Sequence, residues 1–232
     1  MGHCQLNARP VLYHRIPARR YADAFALSPA ACPPPGPGIQ LYYDEQGMAL
    51  AYGGERRLFR LRLDRVKARA AQSLLLARAC GAGRRPSVAD VFAGWGTDGL
   101  SLALKGCAVT LVERSPLVWA LLDDLVARHA LPATVVCAEA GTWCRAQRKG
   151  VDVAYLDPMF PPRRKRALPD KSMQLLRELA ARDDLDLAER LEQARAAARQ
   201  RVVIKRRIHD PTAGRPAWQL RGGRIRFDVY RA

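Results

Sequence analysis

Ser87-Val88-Ala89-Asp90-Val91-Phe92-Ala93-Gly94-Trp95-Gly96-Thr97-Asp98-Gly99 is the stretch on which the fold turns. An apolar strand over 87–92 runs into a glycine turn, and the turn opens a helical pattern over 97–105. Gly94 and Gly96 let the backbone turn tightly and approach a ligand without interference from a Cβ. In open α/β sheets, ligands bind beyond the carboxyl ends of the strands. The spacing is not GxGxxG, because Gly99 falls one place late, and no Gly-Lys-Ser/Thr follows as a P-loop would need. Asp90, Gly94 and Gly96 are therefore candidate cofactor contacts at a turn with no cradle for a pyrophosphate.

Outward from this turn, strands and helices alternate. Strand patterns lie at 108–113, 134–139, 151–157 and 201–206, with helical patterns at 116–130 and 171–199, the last broken near Asp183-Asp184. Near-continuous apolar strands separated by helices predict a parallel sheet covered on both faces. The C-terminal run differs: Ala217–Gly222 and Arg224–Arg231 predict an antiparallel hairpin about Gly223. The expected fold class is α/β, a Rossmann-like, mostly parallel sheet closed by that hairpin, the usual plan of class I methyltransferases that use S-adenosylmethionine. Upstream, 39–54 predicts a β-hairpin turning at Glu45-Gln46-Gly47, and 58–63 alternates about Arg60 and Arg62. Residues 31–38 form a stiff proline-rich connector, and the rest of 1–38 is weakly patterned. One helix is expected from an N-cap at Asp64 to Gly81. The expected division is a small β-rich region, 1–63, and a methyltransferase domain, 64–232.

Lys and Arg number 39 against 22 Asp and Glu, a formal charge of +17 that points to a polyanionic partner. Apolar residues make up 49%, which excludes a disordered chain. Arg and Lys interrupt every apolar run, so no membrane span is expected, and the first twenty residues lack the apolar core of a signal peptide. Six cysteines form no CxxC pair and no cluster with zinc spacing, and four scattered His have no partner by spacing. Reduced thiols, no metal and a cytoplasmic location are the expectation; the oligomeric state is not inferable.

Two further strand ends carry chemistry. Glu113 closes the second strand, where a carboxylate can accept both hydroxyls of a ribose. Tyr155-Leu156-Asp157-Pro158-Met159-Phe160-Pro161-Pro162 closes the fourth and resembles the (D/N)PP(Y/F) motif of methyltransferases acting on exocyclic base amines. Such an amine is a poor nucleophile because its lone pair is delocalised into the ring. Asp157 and the carbonyl of Pro158 can accept its hydrogens and hold it in line with the methyl group, while Phe160 can stack on the base. The run Arg163-Arg164-Lys165-Arg166 follows at once and is suited to flanking phosphates. Lys205 and Arg206 end the fifth strand at the same sheet edge and are assigned the same role, with Arg60, Arg62, Arg65 and Lys67 as a second basic area.

These residues together resemble the ribosomal RNA small subunit methyltransferase J family, guanine-N2 methyltransferases of bacterial small-subunit rRNA. The resemblance rests on Asp90–Asp98, Val112–Asp124, Tyr155–Pro161, Arg201–Arg206 and Arg226–Tyr230, and spans about 39 to 230. It implies cofactor contacts at Thr97 and Asp98, at Glu113 and Arg114, at Glu139 and Ala140, and at Asp157. It implies 16S rRNA or the 30S subunit as partner. The family usually has Thr at the Phe92 position, a basic residue at the Thr97 position and Ser-Ser in place of Glu139-Ala140. Two other readings remain at this point: methylation of adenine N6 or cytosine N4 on RNA or DNA, and a non-catalytic RNA-binding protein of the same fold.

Overall fold

The computed structural model describes residues 10–33, 38–52, 57–159, 171–179 and 186–232. Two sheets are formed among the described residues. The first comprises β1 (Val11–His14), β2 (Ala26–Pro29), β3 (Gln40–Asp44), β4 (Gly47–Tyr52) and β5 (Arg57–Phe59), in the order β2-β1-β3-β4-β5. The predicted β3–β4 hairpin is present. β1 lies parallel to β2 and β3, a pairing that the weak patterning before residue 38 did not reveal. Alternation about Arg60 and Arg62 predicts a strand to residue 63, but β5 stops at Phe59 and α1 begins at Leu63.

The single helix expected from Asp64 is two, α1 (Leu63–Gln72) and α2 (Leu74–Cys80). Ser73 breaks them: its hydroxyl donates to the Ala70 carbonyl, a local bond that competes with the helical ladder. The N-cap position belongs to Arg62, and Asp64 sits in the first turn, ion-paired to Arg62. Gly81 ends α2 as expected, in the left-handed region at φ +68.

The second sheet contains β6 (Ser87–Asp90), β7 (Ala108–Glu113), β8 (Ala133–Cys137), β9 (Val151–Leu156), β10 (Ala198–Arg207), β11 (Trp218–Arg221) and β12 (Ile225–Arg231). Its order is β11-β12-β10-β9-β6-β7-β8, with β8 through β10 parallel and the last two strands antiparallel. The helices between are α3 (Thr97–Ala103), α4 (Pro116–Arg128), α5 (Ala140–Gln147), α6 (Lys171–Leu179) and α7 (Leu187–Ala197). The long helical pattern thus yields two helices, and β10 starts at Ala198, earlier than predicted; the Asp183-Asp184 break lies outside the described residues. α5 was not anticipated: it is two turns long, and Glu139 caps it by accepting from Thr142 N.

Successive strand residues feed opposite faces. Val88, Val153, Tyr155 and Val203 pack beneath α1 to α4, whereas Ala89, Ala154, Leu156, Val202 and Ile204 pack against α5 and α7. Burial on both faces explains the continuous apolar runs. α4 is buried on two sides: Leu122, Leu125 and Val126 face the seven-stranded sheet, and Val118 and Leu121 face Leu12, Leu41 and Leu50 of the N-terminal sheet. Arg20 clamps Asp123 with two bonds, at 2.9 and 3.0 Å, and Met48 N donates to Asp124. Cys80, Cys107 and Cys144 are buried in the core, and no helix of the described residues is long and apolar enough to cross a membrane.

The closing hairpin is held by Arg226, which is almost fully buried. It ion-pairs with Asp228 and donates to the carbonyls of Arg207, Ile208 and Asp210, satisfying the turn after β10. Replacing Arg226 by Met should therefore destabilise the protein by about 3 to 5 kcal/mol, because a buried carboxylate loses its counter-ion and three carbonyls lose a donor. Urea unfolding of Arg226→Met against wild type measures this.

Candidate active site

Four of the five parallel strands carry a polar group at or just beyond their carboxyl ends, because the apolar strand interior stops there. β6 ends at Asp90 and β7 at Glu113; Asp157 follows β9, and Lys205 lies near the end of β10. The glycine turn is fastened to its neighbours: Val91 N donates to Tyr155 O, Ala93 N to Val112 O, and Gly94 N to Glu113 Oε2 at 2.9 Å. Gly94 and Gly96 adopt φ +51 and +70, and a Cβ on Gly96 would stand 2.6 Å from Leu122. Both are glycine because the turn requires it. Trp95, the residue between them, is buried and donates from Nε1 to Ser172 O, which joins the turn to α6.

Glu113 also accepts from Ser115 N at 2.7 Å, so each of its oxygens holds one backbone N–H and keeps a lone pair for another donor. Burial pushes its carboxyl upward against these bonds. Arg114 beside it is half-buried. Thr97, at the start of α3, is exposed. Asp90 is buried, and desolvation together with Asp98 and Asp157 raises its carboxyl well above the usual range.

Four elements meet at Asp98. It accepts from Arg69 Nε of α1, from Lys205 Nζ of β10 and from the Tyr155 hydroxyl of β9, each at 2.7 Å. Lys205 Nζ also donates to Asp157 Oδ2 at 2.6 Å. Burial works against the Asp98 charge, but Lys205 and Arg69 outweigh it and hold the carboxyl down at about 2. Asp157 moves the other way: burial raises it, and the Lys205 ammonium opposes the rise. Pro158 is half-buried and Met159 exposed.

The predicted residues therefore divide. Asp90, Gly94, Gly96, Glu113 and Asp157 lie along one edge, with Asp98 joined to Asp157 through Lys205. Lys205 needs correction: it was assigned to phosphate binding, yet its ammonium is mostly buried between two carboxylates. Arg206 donates to Pro211 O of its own chain and is half-buried. Arg60 is ion-paired to Asp44 and Arg62 to Asp64, whereas Arg65 and Lys67 are exposed. Glu139 caps α5 and pairs with Arg190 at 2.7 Å; burial opposes its charge, but the backbone bonds and Arg190 prevail and lower its carboxyl. Ala140 is buried in the first turn. Phe160, Arg163, Arg164, Lys165 and Arg166 lie outside the described residues.

Sequence reasoning missed Arg69 and the true setting of Lys205. A signal for the second existed. Val203 faces the core, and strand alternation puts Lys205 on that same inward side.

The polar groups of this edge fit a nucleoside-bearing cofactor. Asp98 and Asp157 stand beside the glycine turn, Glu113 offers acceptors at a ribose position, and a concentration of acids is unusual in a chain of net charge +17. Among the described residues no group of three or more His, Cys, Asp or Glu could hold a metal ion.

Comparison with known proteins agrees. Residues 60–232 match the family described as "Putative SAM-dependent methyltransferase". Ribosomal RNA small subunit methyltransferase J of Thioalkalivibrio sulfidiphilus is 39% identical, covering 91% of this chain and 93% of that protein. The protein of that name from Pseudomonas paraeruginosa is 37% identical, covering 92% and 89%. This chain belongs to the ribosomal RNA small subunit methyltransferase J family. The crystal structure of a SAM-dependent methyltransferase from Neisseria gonorrhoeae superposes with a TM-score of 0.74 at 29% identity, covering 95% of each chain. The sheet and its closing hairpin are thus those of S-adenosylmethionine-dependent methyltransferases, as the alternation and the final hairpin predict.

A pH dependence follows for this family member. Asp98 is ionised more readily folded than unfolded, so its stabilisation is complete above its ordinary pKa and is lost as pH falls toward about 2. Its share is about 2 kcal/mol. The stability difference between wild type and Asp98→Asn should therefore shrink between pH 4 and pH 2, which chemical denaturation at each pH will measure.

Proposed function

We propose that this protein transfers a methyl group from S-adenosylmethionine to the N2 amine of a guanosine in 16S rRNA, presented as the RNA or as the 30S subunit, in the cytoplasm. The observation that supports it most is the position of Asp157-Pro158 at the end of β9, beside the β6 glycine turn, in a chain similar over most of its length to proteins named for small-subunit rRNA. The 64–232 unit carries the reaction in this reading, and 1–63 is an accessory unit whose described strands pack on α4.

When bound, the cofactor supplies a methyl group on a sulfonium, an already activated leaving group. The chain's residues do the rest. Glu113 accepts from the ribose, and Gly94 and Gly96 allow close approach of the backbone. Asp90, Thr97, Asp98, Arg114 and the Glu139-Ala140 helix start complete the cofactor side. Asp157 and the Pro158 carbonyl accept the two amine hydrogens, which holds the nitrogen in line and favours its tetrahedral form. Phe160 stacks on the base. The Asp157 carboxylate can receive the proton released from nitrogen. Arg163, Arg164, Lys165 and Arg166 bind flanking phosphates, with exposed Arg65 and Lys67 of α1 supporting them. Lys205 and Arg206 are withdrawn from that role.

Purified 30S subunits and 16S rRNA lacking native methylation, incubated with labelled cofactor, should yield N2-methylguanosine on nucleoside analysis. Label in N6-methyladenosine or N4-methylcytidine would transfer the chemistry to another amine. Absence of label with S-adenosylhomocysteine still bound would favour a non-catalytic RNA binder. Asp157→Ala should reduce turnover at least about a hundredfold, on the scale of lost positioning.

A further inference from the structure

We propose that Lys205 is the positioning residue of this site, an internal counter-ion that keeps Asp157 ionised beside Asp98 so that Asp157 can accept the hydrogens of the target amine. The inference rests on the methyl-transfer reading above and adds a residue to it.

Geometry carries the argument. Register pairs Val203 with Tyr155 and Ile204 with Leu156, so Lys205 lies next to Asp157 across β9 and β10. Its ammonium touches both carboxylates, at 2.7 Å to Asp98 and 2.6 Å to Asp157, and the side chain is only 17% exposed. Two carboxylates that share one small site resist simultaneous ionisation unless a cation separates them. Arg69 serves Asp98 from the α1 side and the Tyr155 hydroxyl serves it from β9, but neither is bonded to Asp157. Asp90 adds a third acid from β6. Among the described residues, the charged and titratable groups about Lys205 are Asp98 and Asp157, with Tyr155, Arg69 and Asp90 beyond them. Lys205 is the cation whose removal leaves Asp157 facing like charge.

The consequence for the reaction is specific. As methyl transfer proceeds, the carbon–sulfur bond breaks with its electron pair going to sulfur, a carbon–nitrogen bond forms, and the nitrogen releases a proton. An ionised Asp157 accepts hydrogen bonds from the amine and can receive that proton. A protonated Asp157 presents a donor to the amine and spoils the alignment. Lys205 itself stays protonated, since both carboxylates raise its ammonium pKa against the pull of burial, so it is a counter-ion rather than a base.

The test is the pH profile of kcat with 30S substrate for wild type, Lys205→Met, Lys205→Gln and Lys205→Arg. Neutral Met and Gln should move the acid limb upward by about one pH unit or more. The KM for S-adenosylmethionine should change less than kcat. Arg restores the charge and should keep the limb at the wild-type position, at a reduced plateau. Gln separates charge from hydrogen bonding, because its amide still donates. If Met does not fold, Gln and Arg decide the matter. An unshifted limb in the neutral variants, with rate lost equally at every pH, overturns the proposal, and so does a shifted limb in Lys205→Arg. Failure of the methyl-transfer reading looks different: wild type itself then puts no label into an RNA amine.

Discussion

Acidic groups crowd the carboxyl edge of the parallel sheet, and the site depends on how their charge is balanced. Asp90, Asp98 and Asp157 come from β6, α3 and the end of β9, where the low-dielectric core penalises each of them. Two cations from distant parts of the chain offset this, Arg69 from α1 and Lys205 from β10. The bonds at Asp98 are therefore also the fastenings between α1, α3, β9 and β10. A change of charge at Asp98 or Lys205 is felt as packing at the others, because neither can turn outward without taking a bond from a buried partner.

α4 imposes a second constraint. An amphipathic helix needs one apolar stripe, but α4 has two, one for each sheet. The N-terminal strands are short and need that extra surface, since small sheets bury too little apolar area alone. Trp95 and α6 extend the same cluster to the glycine turn, so the N-terminal sheet is packed, through α4, α6 and Trp95, against that turn.

This pattern explains what could be read in advance. The seven-stranded sheet was legible because burial on both faces writes unbroken apolar strands, and Gly94, Gly96, Glu113 and Asp157 were legible because they interrupt those strands at their ends. β1 and β2 were not, because four-residue strands stabilised by a remote helix carry no alternation of their own. The break at Ser73 was hidden by a helical pattern that continues across it. Arg69 was hidden among the many Arg-Ala pairs of the chain, where nothing in spacing separates a half-buried arginine from a solvated one. Lys205 was misassigned for a related reason: adjacency to Arg206 and Arg207 suggested a surface run, although alternation with Val203 placed it inward.

The same distribution of charge separates two demands on one small protein. A net charge of +17 favours a polyanionic partner, yet in the proposed reading the reaction centre must accept a sulfonium and hold carboxylates ionised. A basic surface alone would attract phosphate into the pocket. The acids of the sheet edge oppose that, and Lys205 is enclosed between them, so its charge is spent on carboxylates rather than offered to RNA. α1 shows the division within a single helix: Arg69 turns in to Asp98, while Arg65 and Lys67 stay exposed. In the proposed reading, phosphate binding on that helix and carboxylate balance at the sheet edge would be carried by adjacent turns of one rigid element, which would hold the RNA-facing charge in fixed relation to the site it serves.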